Sequence, residues 1–183
     1  MLPPELEYNC IKLVACKSED VSDKYLSWLS DPEVVRFTEI SKAPKNRCEL
    51  VEYVEAQNKS KDALFWRILL GDEHVGNLRA SGLSGQHRRA SIALIIGESL
   101  ARGRSVGSTA IKMATDYLFS FGIYKVTAGM YEPNRASLGA FTKAGYHIEA
   151  ELKHHFIWNG QPTNGILVAC FKQDRTISEE HKT

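Results

Sequence analysis

The sequence predicts a mixed α/β fold, with one mostly antiparallel central sheet of about seven strands and helices on both faces. Apolar runs typical of strands recur along the chain, and helical apolar spacing occurs before and between them. A strand–helix–strand unit over residues 90–131 predicts one parallel pair. The 183 residues are enough for one domain, predicted over residues 1–172, before a polar tail, 173–183, that is expected to fray.

The N-terminal third reads as one strand followed by three helices. Residues 11–15 have the apolar content of a strand, and apolar side chains at helical spacing follow in residues 21–29. Asp31–Pro32 supplies an N-cap and a proline at the first helical position of a second helix. Asn46, three residues before Glu49, gives a capping-box pattern that predicts the start of a third helix.

The rest of the chain is richer in strands. Residues 63–70 and 74–80 are predicted to form a hairpin around the turn Gly71–Asp72. Residues 90–96 have a continuous apolar centre, which is expected of a strand buried on both faces. A long amphipathic helix follows and ends at Gly122. The remaining elements are predicted as a strand, a helix and two strands, at 125–131, 134–144, 148–158 and 166–171.

Composition excludes several classes of function. A net charge of +1 argues against a surface built for nucleic acid or an anionic membrane. No secretory signal or membrane-length apolar run occurs, and the four cysteines form no CxxC pair, so a reducing cytoplasm is expected. No metal site is predicted, because the only neighbouring histidines, His154 and His155, would point to opposite faces of a strand.

The stretch ARGRSVGSTAI, residues 101–111, places glycines and arginines where the long helix begins. Unpaired N–H groups and the positive end of the helix dipole favour an anion there. The spacing of Gly103 and Gly107 does not fit a P-loop. Residues 102–107 fit the acetyl-CoA loop pattern Gln/Arg-x-x-Gly-x-Gly/Ala, except for Ser105 where glycine is usual. The alternative is a flexible connection with solvated arginines.

Together with this loop, four further segments make the chain similar to the GNAT superfamily of N-acetyltransferases, in the branch of the ribosomal-protein acetyltransferases RimJ and RimL. The resemblance runs from about Tyr25 to Phe171. It implies a GNAT fold in which the fourth and fifth strands of the sheet are parallel and splay apart. The segments that carry it are WLSDPEVVRF (28–37), HVGNLR (74–79), IALIIGE (92–98) and NRASLGAFTKAGY (134–146).

The resemblance implies acetyl-CoA as co-substrate and no metal. Backbone N–H groups of the loop would hold the pyrophosphate, with charge from the two arginines, and the pantetheine arm would pair with the exposed edge of the fourth strand. Asn134 would face the cofactor, although it could equally serve only as an N-cap. Ser105 is expected to weaken binding without abolishing it, provided that its φ is not positive. The implied cofactor residues are Leu94, Ile95, Ile96, Arg102, Gly103, Arg104, Ser105, Val106, Gly107, Ser108, Asn134 and Ser137.

The chemistry would be direct attack of a primary amine on the thioester, which needs a base for the amine and an acid for the departing thiolate. Many family members use a tyrosine acid, but this chain has Phe141 at that position. Ser137 could act as the acid or merely cap its helix. Glu98 is the candidate base, with a solvated loop carboxylate as the alternative, and Tyr131 could line the acyl site. One of His154 and His155 is expected to face the acceptor cleft, with a surface histidine as the alternative for each.

The sequence also favours one class of acceptor over others. Aromatic, histidine and asparagine side chains in residues 154–164 favour a small polar amine, such as an amino sugar or a sugar nucleotide. The alternatives are a protein N-terminus, as for ribosomal-protein acetyltransferases, and a CoA-binding sensor domain without turnover. Neither nucleic acid nor membrane is expected as a partner. Family members often form homodimers, but the sequence does not define a dimer surface.

Overall fold

A computed structural model describes residues 2–38 and 44–174, and its centre is one mixed sheet. The sheet contains eight strands in the order β1-β2-β3-β4-β5-β6-β8-β7. Only β5 and β6 run parallel, and every other neighbouring pair is antiparallel. The strands are β1 Leu6–Tyr8, β2 Ile11–Ala15, β3 Ala63–Leu70, β4 Glu73–Ser81, β5 Arg89–Ile96, β6 Lys125–Tyr131, β7 His147–Trp158 and β8 Gln161–Phe171.

The predicted fold class is confirmed, with one strand more than expected. The additional strand is β1, a three-residue strand that pairs with β2 across a turn containing Asn9 at φ +53°. Because of β1, the parallel strands predicted as the fourth and fifth are the fifth and sixth. A strand this short carries almost no periodic signal, which explains why the sequence pattern did not reveal it.

The helices begin where the sequence predicts them. Asp31 accepts a hydrogen bond from the Glu33 N–H at one N-cap, and Asn46 accepts from the Glu49 N–H at another. These side chains satisfy N–H groups that the first helical turn leaves unpaired. The helices are α1 Asp23–Trp28, α2 Pro32–Val35, α3 Arg47–Lys59, α4 Val106–Ser120 and α5 Arg135–Lys143.

Each face of the sheet carries its own apolar core. On one face, α4 and α5 pack over side chains such as Leu78 and Val126, both fully buried. On the other, α1 and α3 cover a smaller cluster that includes Leu50 and Phe65. Helices therefore flank the sheet on both sides, as the alternation of helices and strands predicts.

The parallel pair separates soon after it forms. Only Arg89–Ser91 of β5 pair with Lys125–Thr127 of β6, so residues 92–96 have β4 as their only paired neighbour. The expectation that this strand is buried on both faces is wrong, because Ser91 and Ala93 are exposed. An open gap lies where a paired strand would otherwise cover β5.

The predicted tail falls largely outside the described residues, since residues 175–183 are not among them. Of the helices in residues 2–38 and 44–174, none has both the length and the apolar character needed to cross a bilayer.

Candidate active site

The loop before α4 has the backbone geometry of an anion site. Gly103 and Ser105 have φ angles of +74° and +64°, and Ser105 is the N-cap of α4. The Ser105 side chain makes no capping hydrogen bond to the first turn. The first-turn N–H groups of α4 and the positive end of its dipole are therefore not neutralised by a capping side chain.

Two arginines and one lysine surround this helix N-terminus. The Arg102 guanidinium donates to the carbonyl oxygens of Ile96 and Gly97, both at 3.2 Å, and thereby ties the loop to the end of β5. Arg104 is exposed. Lys143, at the last turn of α5, donates from Nζ to Ser105 Oγ at 2.6 Å. The sequence motifs did not assign Lys143 to the loop, because its proximity depends on how α5 packs beside α4.

The sequence predicts that serine is tolerated at position 105 only if its φ is not positive. This condition is not met. The Ser105 φ of +64° lies in the left-handed region, where a Cβ atom is unfavourable. A non-glycine residue there costs about 1 kcal/mol relative to a relaxed backbone. The loop therefore contains a strained residue at the N-cap of α4.

The edge of β5 presents N–H groups to the gap. The Gly97 N–H donates to the Val75 carbonyl at 2.9 Å, which fixes the hydrogen-bonding phase of the antiparallel β4–β5 pair. Alternation along such a pair directs the N–H groups of Leu94 and Ile96 away from β4 and into the gap, whereas that of Ile95 points toward β4. Leu94 and Ile96 therefore present backbone donors from β5 to a bound ligand.

A cavity of about 610 Å³ passes through the gap between β5 and β6 and reaches both faces of the sheet. This volume is typical of sites for small molecules. The half on the face covered by α4 and α5 is lined by Leu94, Met130 and Phe141, and the half on the face covered by α1 and α3 by Tyr25, Leu50 and Phe65. The described lining residues are Tyr25, Leu29, Val35, Phe37, Thr38, Pro44, Leu50, Tyr53, Phe65, Asn77, Arg79, Ile92, Ala93, Leu94, Ile95, Gly129, Met130, Tyr131, Asn134, Ser137, Phe141 and Phe156.

The start of α5 lies at the first half of this cavity. Asn134 caps α5, since its Oδ1 accepts from the Ser137 N–H at 3.2 Å, and both residues line the cavity. Tyr131 stacks on Phe156 with ring centroids 4.1 Å apart and forms an aromatic wall. Phe141 also contributes to the lining, although it is only 2% exposed. The structure thus brings Tyr131, Asn134 and Ser137 together in a cavity that Leu94 also lines.

Glu98 lies apart from these residues. It is not among the side chains that line the cavity. Its Oε1 accepts a hydrogen bond from Trp28 Nε1 at 2.9 Å and lies 3.6 Å from Lys24 Nζ. The Trp28 ring also lies against Gly97, where an added Cβ would come within 2.0 Å of it. Glu98 therefore fastens α1 to the end of β5 in this structure.

Neither histidine of β7 reaches the cavity, contrary to the expectation that one would. A bulge between Leu152 and Phe156 changes the side-chain alternation, and His154 has φ +49° there. Both histidines are exposed, while Phe156 lines the cavity instead. Among the described residues, no three His, Cys, Asp or Glu side chains come together in a group that could hold a metal ion.

The other half of the cavity contains features that the motifs did not indicate. Phe65, Arg79 and Ala93 lie opposite one another on β3, β4 and β5 and form a row across its floor. Tyr25 and Tyr53 line it from the helical side, and burial raises the pKa of both phenols, so both stay protonated at neutral pH. Strand alternation could have placed Arg79 on one face of β4, but not identified that face as the one with the cavity.

A splayed parallel pair, an uncapped helix N-terminus beside it and a cavity between them define the GNAT class of fold. A family model described as "Acetyltransferase (GNAT) domain" matches residues 11–147. The chain therefore belongs to the GNAT acetyltransferase family, and the resemblance that the sequence predicted is confirmed.

Individual relatives agree with this assignment. Spermidine N(1)-acetyltransferase of Escherichia coli K12 is 31% identical over 112 residues, which span 61% of this chain and 59% of that relative. The structure of spermidine N-acetyltransferase from Vibrio cholerae with CoA and spermine superimposes with a TM-score of 0.80, at 16% identity, over 91% of this chain and 98% of that one. The structure of RimJ from Mycobacterium smegmatis with CoA-disulfide superimposes with a TM-score of 0.80, at 17% identity, over 90% of this chain and 83% of that one. At these identities the two structures show a shared fold.

Proposed function

We propose that the protein is an acetyl-CoA-dependent N-acetyltransferase that moves an acetyl group to a small polar primary amine. The observation that carries the proposal is the cavity through the gap between β5 and β6. It allows a thioester and an amine to approach one another from opposite faces of one sheet. Family membership supports the choice of acetyl-CoA as the donor.

The loop before α4 is proposed to bind the phosphates of the cofactor. First-turn N–H groups, from Val106 to Ser108, would donate to the pyrophosphate. Arg104 and Lys143 would add charge-assisted contacts from the solvent side. Arg102 serves the same end indirectly, because its bonds to the Ile96 and Gly97 carbonyls hold the loop against β5.

The transfer step is proposed to occur at the edge of β5. The amine lone pair forms a bond to the thioester carbonyl carbon, and the carbonyl oxygen takes up negative charge that the Leu94 or Ile96 N–H can stabilise. The C–S bond then breaks, and the sulfur leaves as a thiolate that needs a proton, while the nitrogen, cationic after the attack, must lose one. Ser137 lines the cavity at the start of α5 and is proposed to give its hydroxyl proton to the sulfur and to take one back from the nitrogen, directly or through water. Tyr131 is proposed to shape the acyl pocket by its stacked ring.

Thermal unfolding with and without acetyl-CoA tests the cofactor site. A ligand at 100 times its Kd stabilises the folded state by about 2.7 kcal/mol, so a Tm rise of several degrees is expected for the unmodified chain. Gly107→Trp is expected to abolish the shift, since a Cβ there already lies 3.5 Å from Leu94 and a ring would fill the gap. Gly139→Ala is the control, because nothing lies within 4 Å of a Cβ at that position.

Release of CoA with a panel of amines tests the reaction itself. Chromatography is the suitable readout, because Cys10 and Cys48 are exposed and would react with thiol reagents. Release with amino sugars supports the proposal. Release of CoA only with N-terminal peptides would identify a protein N-terminus as the acceptor instead. A Tm shift with acetyl-CoA, but no release of CoA with any amine, would indicate a domain that binds CoA without catalysis.

A further inference from the structure

We propose that the amine acceptor carries an oxyanion, a carboxylate or a phosphate, which Arg79 binds in the second half of the cavity. This inference rests on the proposed N-acetyltransferase function and narrows its substrate class. The half-buried Arg79 guanidinium, fixed beside the edge of β5 where transfer is proposed, would select anionic amines over polyamines.

The position of Arg79 follows from the strand register. Arg79 on β4 lies directly opposite Ala93 on β5, next to Leu94, where the thioester is proposed to sit. Neighbouring strands lie about 4.8 Å apart and residues rise about 3.3 Å along a strand, so the guanidinium is within roughly 10 Å of the acyl carbon. An anion a few bonds from the amine nitrogen would span that distance.

The orientation of Arg79 leaves its terminal nitrogens available. Its Nε donates to Gln57 Oε1 of α3 at 2.6 Å, which holds the planar group from the helical side. The two terminal nitrogens form the fork that binds carboxylate or phosphate through two parallel hydrogen bonds. Gln57 therefore acts as a positioning residue that presents this fork to the cavity.

The local charge balance favours an anion. In the part of the chain that the structure describes, Arg79 is the only charged residue of the cavity lining. Hydrogen bonds from Ser84 and Gly82 occupy the carboxylate of Asp62 and lower its pKa, and the charge of Arg79 acts on it in the same direction as a smaller effect. A partly buried cation is stabilised by a partner of opposite charge, which a bound acceptor would supply.

A second cation lies beside the cavity lining. The Arg36 guanidinium lies 5.2 Å from the centroid of the Phe37 ring and 5.6 Å from that of Trp158. Phe37 lines the cavity, so Arg36 lies next to one of its walls. A polyamine with several ammonium groups would be repelled by these two guanidinium groups, whereas an anionic amine would be attracted.

The test compares amines that differ mainly in the presence of the anion, with acetyl-CoA as donor. Glucosamine 6-phosphate is paired with glucosamine, β-alanine with β-alaninamide, and spermidine represents the polyamines. We expect kcat/KM to be at least about tenfold higher for one anionic amine than for its neutral partner, through KM, as for a charge-assisted bidentate contact. A difference in kcat/KM within the glucosamine pair would identify phosphate as the bound anion, and one within the β-alanine pair would identify carboxylate. Equal values within both pairs, or spermidine as the best acceptor, would overturn the inference.

Substitutions of Arg79 test whether the preference for anionic amines depends on this side chain and not on a loss of folding or of donor binding. Arg79→Gln is expected to reduce the anionic preference to less than about threefold, and Arg79→Glu to shift preference toward spermidine. Arg89→Gln, on the exposed start of β5, is the matched control and should retain the wild-type ratio. The Tm shift with acetyl-CoA must persist in all three, which shows that they fold and bind the donor.

A binding measurement keeps the two proposals distinguishable. Calorimetry with glucosamine 6-phosphate and with β-alanine, in the presence of CoA, does not depend on turnover. Binding of either by the unmodified chain and not by Arg79→Gln, without CoA release from any amine, would support the anion site and contradict the proposed reaction. CoA release together with anion binding that Arg79→Gln leaves unchanged would contradict the anion site alone.

Discussion

Ser105 is the residue at which local backbone preference and the demands of the site conflict most clearly. It holds φ +64° at the N-cap of α4, where glycine would be relaxed. Its side chain only accepts a bond from the exposed Lys143. The strain is consistent with a loop shaped to present N–H groups rather than to maximise stability.

Replacement of Ser105 by glycine is therefore expected to stabilise the unliganded chain or leave it unchanged. Relief of the strained φ gains about 1 kcal/mol, which the greater entropy of the unfolded glycine chain partly offsets. Gly103→Ala is the opposite change at φ +74° and should cost about 1 kcal/mol, although nothing lies within 4 Å of its Cβ. Urea unfolding measures both. A loss of stability in Ser105→Gly larger than that in Gly103→Ala would contradict this view.

His74 is a second residue whose environment decides its behaviour. Burial lowers its pKa to about 4, with Arg67 acting in the same direction. Its Nε2 lies 3.0 Å from the Gly76 carbonyl, and its ring makes edge contact with Trp28 at 4.9 Å. The folded chain therefore holds His74 neutral at pH values where a histidine of the unfolded chain is protonated.

Stability is expected to fall as the pH drops from about 6.5 toward 4. Above that range His74 is neutral in both states, and within it the unfolded state binds the extra proton. The loss at pH 4.5 is on the order of 2 kcal/mol. Urea midpoints of His74→Gln should show a weaker pH dependence than those of the unmodified chain, whereas the exposed His87→Gln should match it. Identical pH dependence in all three would show that His74 titrates normally.

At the scale of elements, α1 is fastened to the end of β5 by a few contacts. Trp28 packs its ring on Gly97 and donates to Glu98, and the turn after β5 is tied back to β4 by Gly97 and Glu98 N–H bonds to the Val75 carbonyl. Glu98, the candidate base of the sequence analysis, thereby takes part in the contact between α1 and the end of β5. α1 in turn carries Tyr25 and Leu29 to the cavity.

Two neighbouring substitutions test this contact. Gly97→Ala would place a Cβ 2.0 Å from the Trp28 ring, so it should displace α1 and cost at least about 2 kcal/mol. Glu98→Gln retains an oxygen that accepts the indole N–H and should cost less than about 1 kcal/mol. If Glu98 is not the base, the pH dependence of kcat/KM is also unchanged in Glu98→Gln. Loss of the acidic limb of that profile would make Glu98 the base after all.

At the scale of the whole molecule, the gap between β5 and β6 joins the two faces of the sheet. Each face has its own core, and each contributes one half of the cavity. A donor and an acceptor can therefore occupy separate surfaces and meet only at the edge of β5. The parallel pairing at Arg89–Ser91 keeps the gap closed at one end.

Thiol reactivity tests this packing over the whole chain. Cys10 and Cys48 are exposed, whereas Cys16 and Cys170 are buried, and burial raises the pKa of the Cys16 thiol to about 12. Titration of the native protein with a thiol reagent should show two fast groups, and titration in denaturant should show four. Three or four fast groups in the native state would mean that one of the cores opens readily. Reducing agent should leave the Tm unchanged, because the four cysteines form no disulfide.

Local patterns determined most of the elements and the position of the glycine-containing loop before α4. The bounds of β2, β3 and β6 agree with the sequence prediction, and α3 starts at its predicted N-cap. These features depend on residues a few positions apart, for which periodicity, capping and glycine placement carry the information. The five family segments likewise identified the class from short stretches of sequence.

Tertiary structure alone decided which side chains share the site. Trp28 meets Glu98 across 70 positions, Lys143 meets Ser105 across 38, and Gln57 holds Arg79 across 22. Such contacts depend on how helices pack on the two faces of a twisted sheet, which no local pattern records. The sequence by itself therefore identified the class of fold and predicted a CoA-binding loop before α4. The packing placed Glu98 against α1 and Arg79 in the cavity, because burial and charge pairing over long separations are settled only when the whole chain folds.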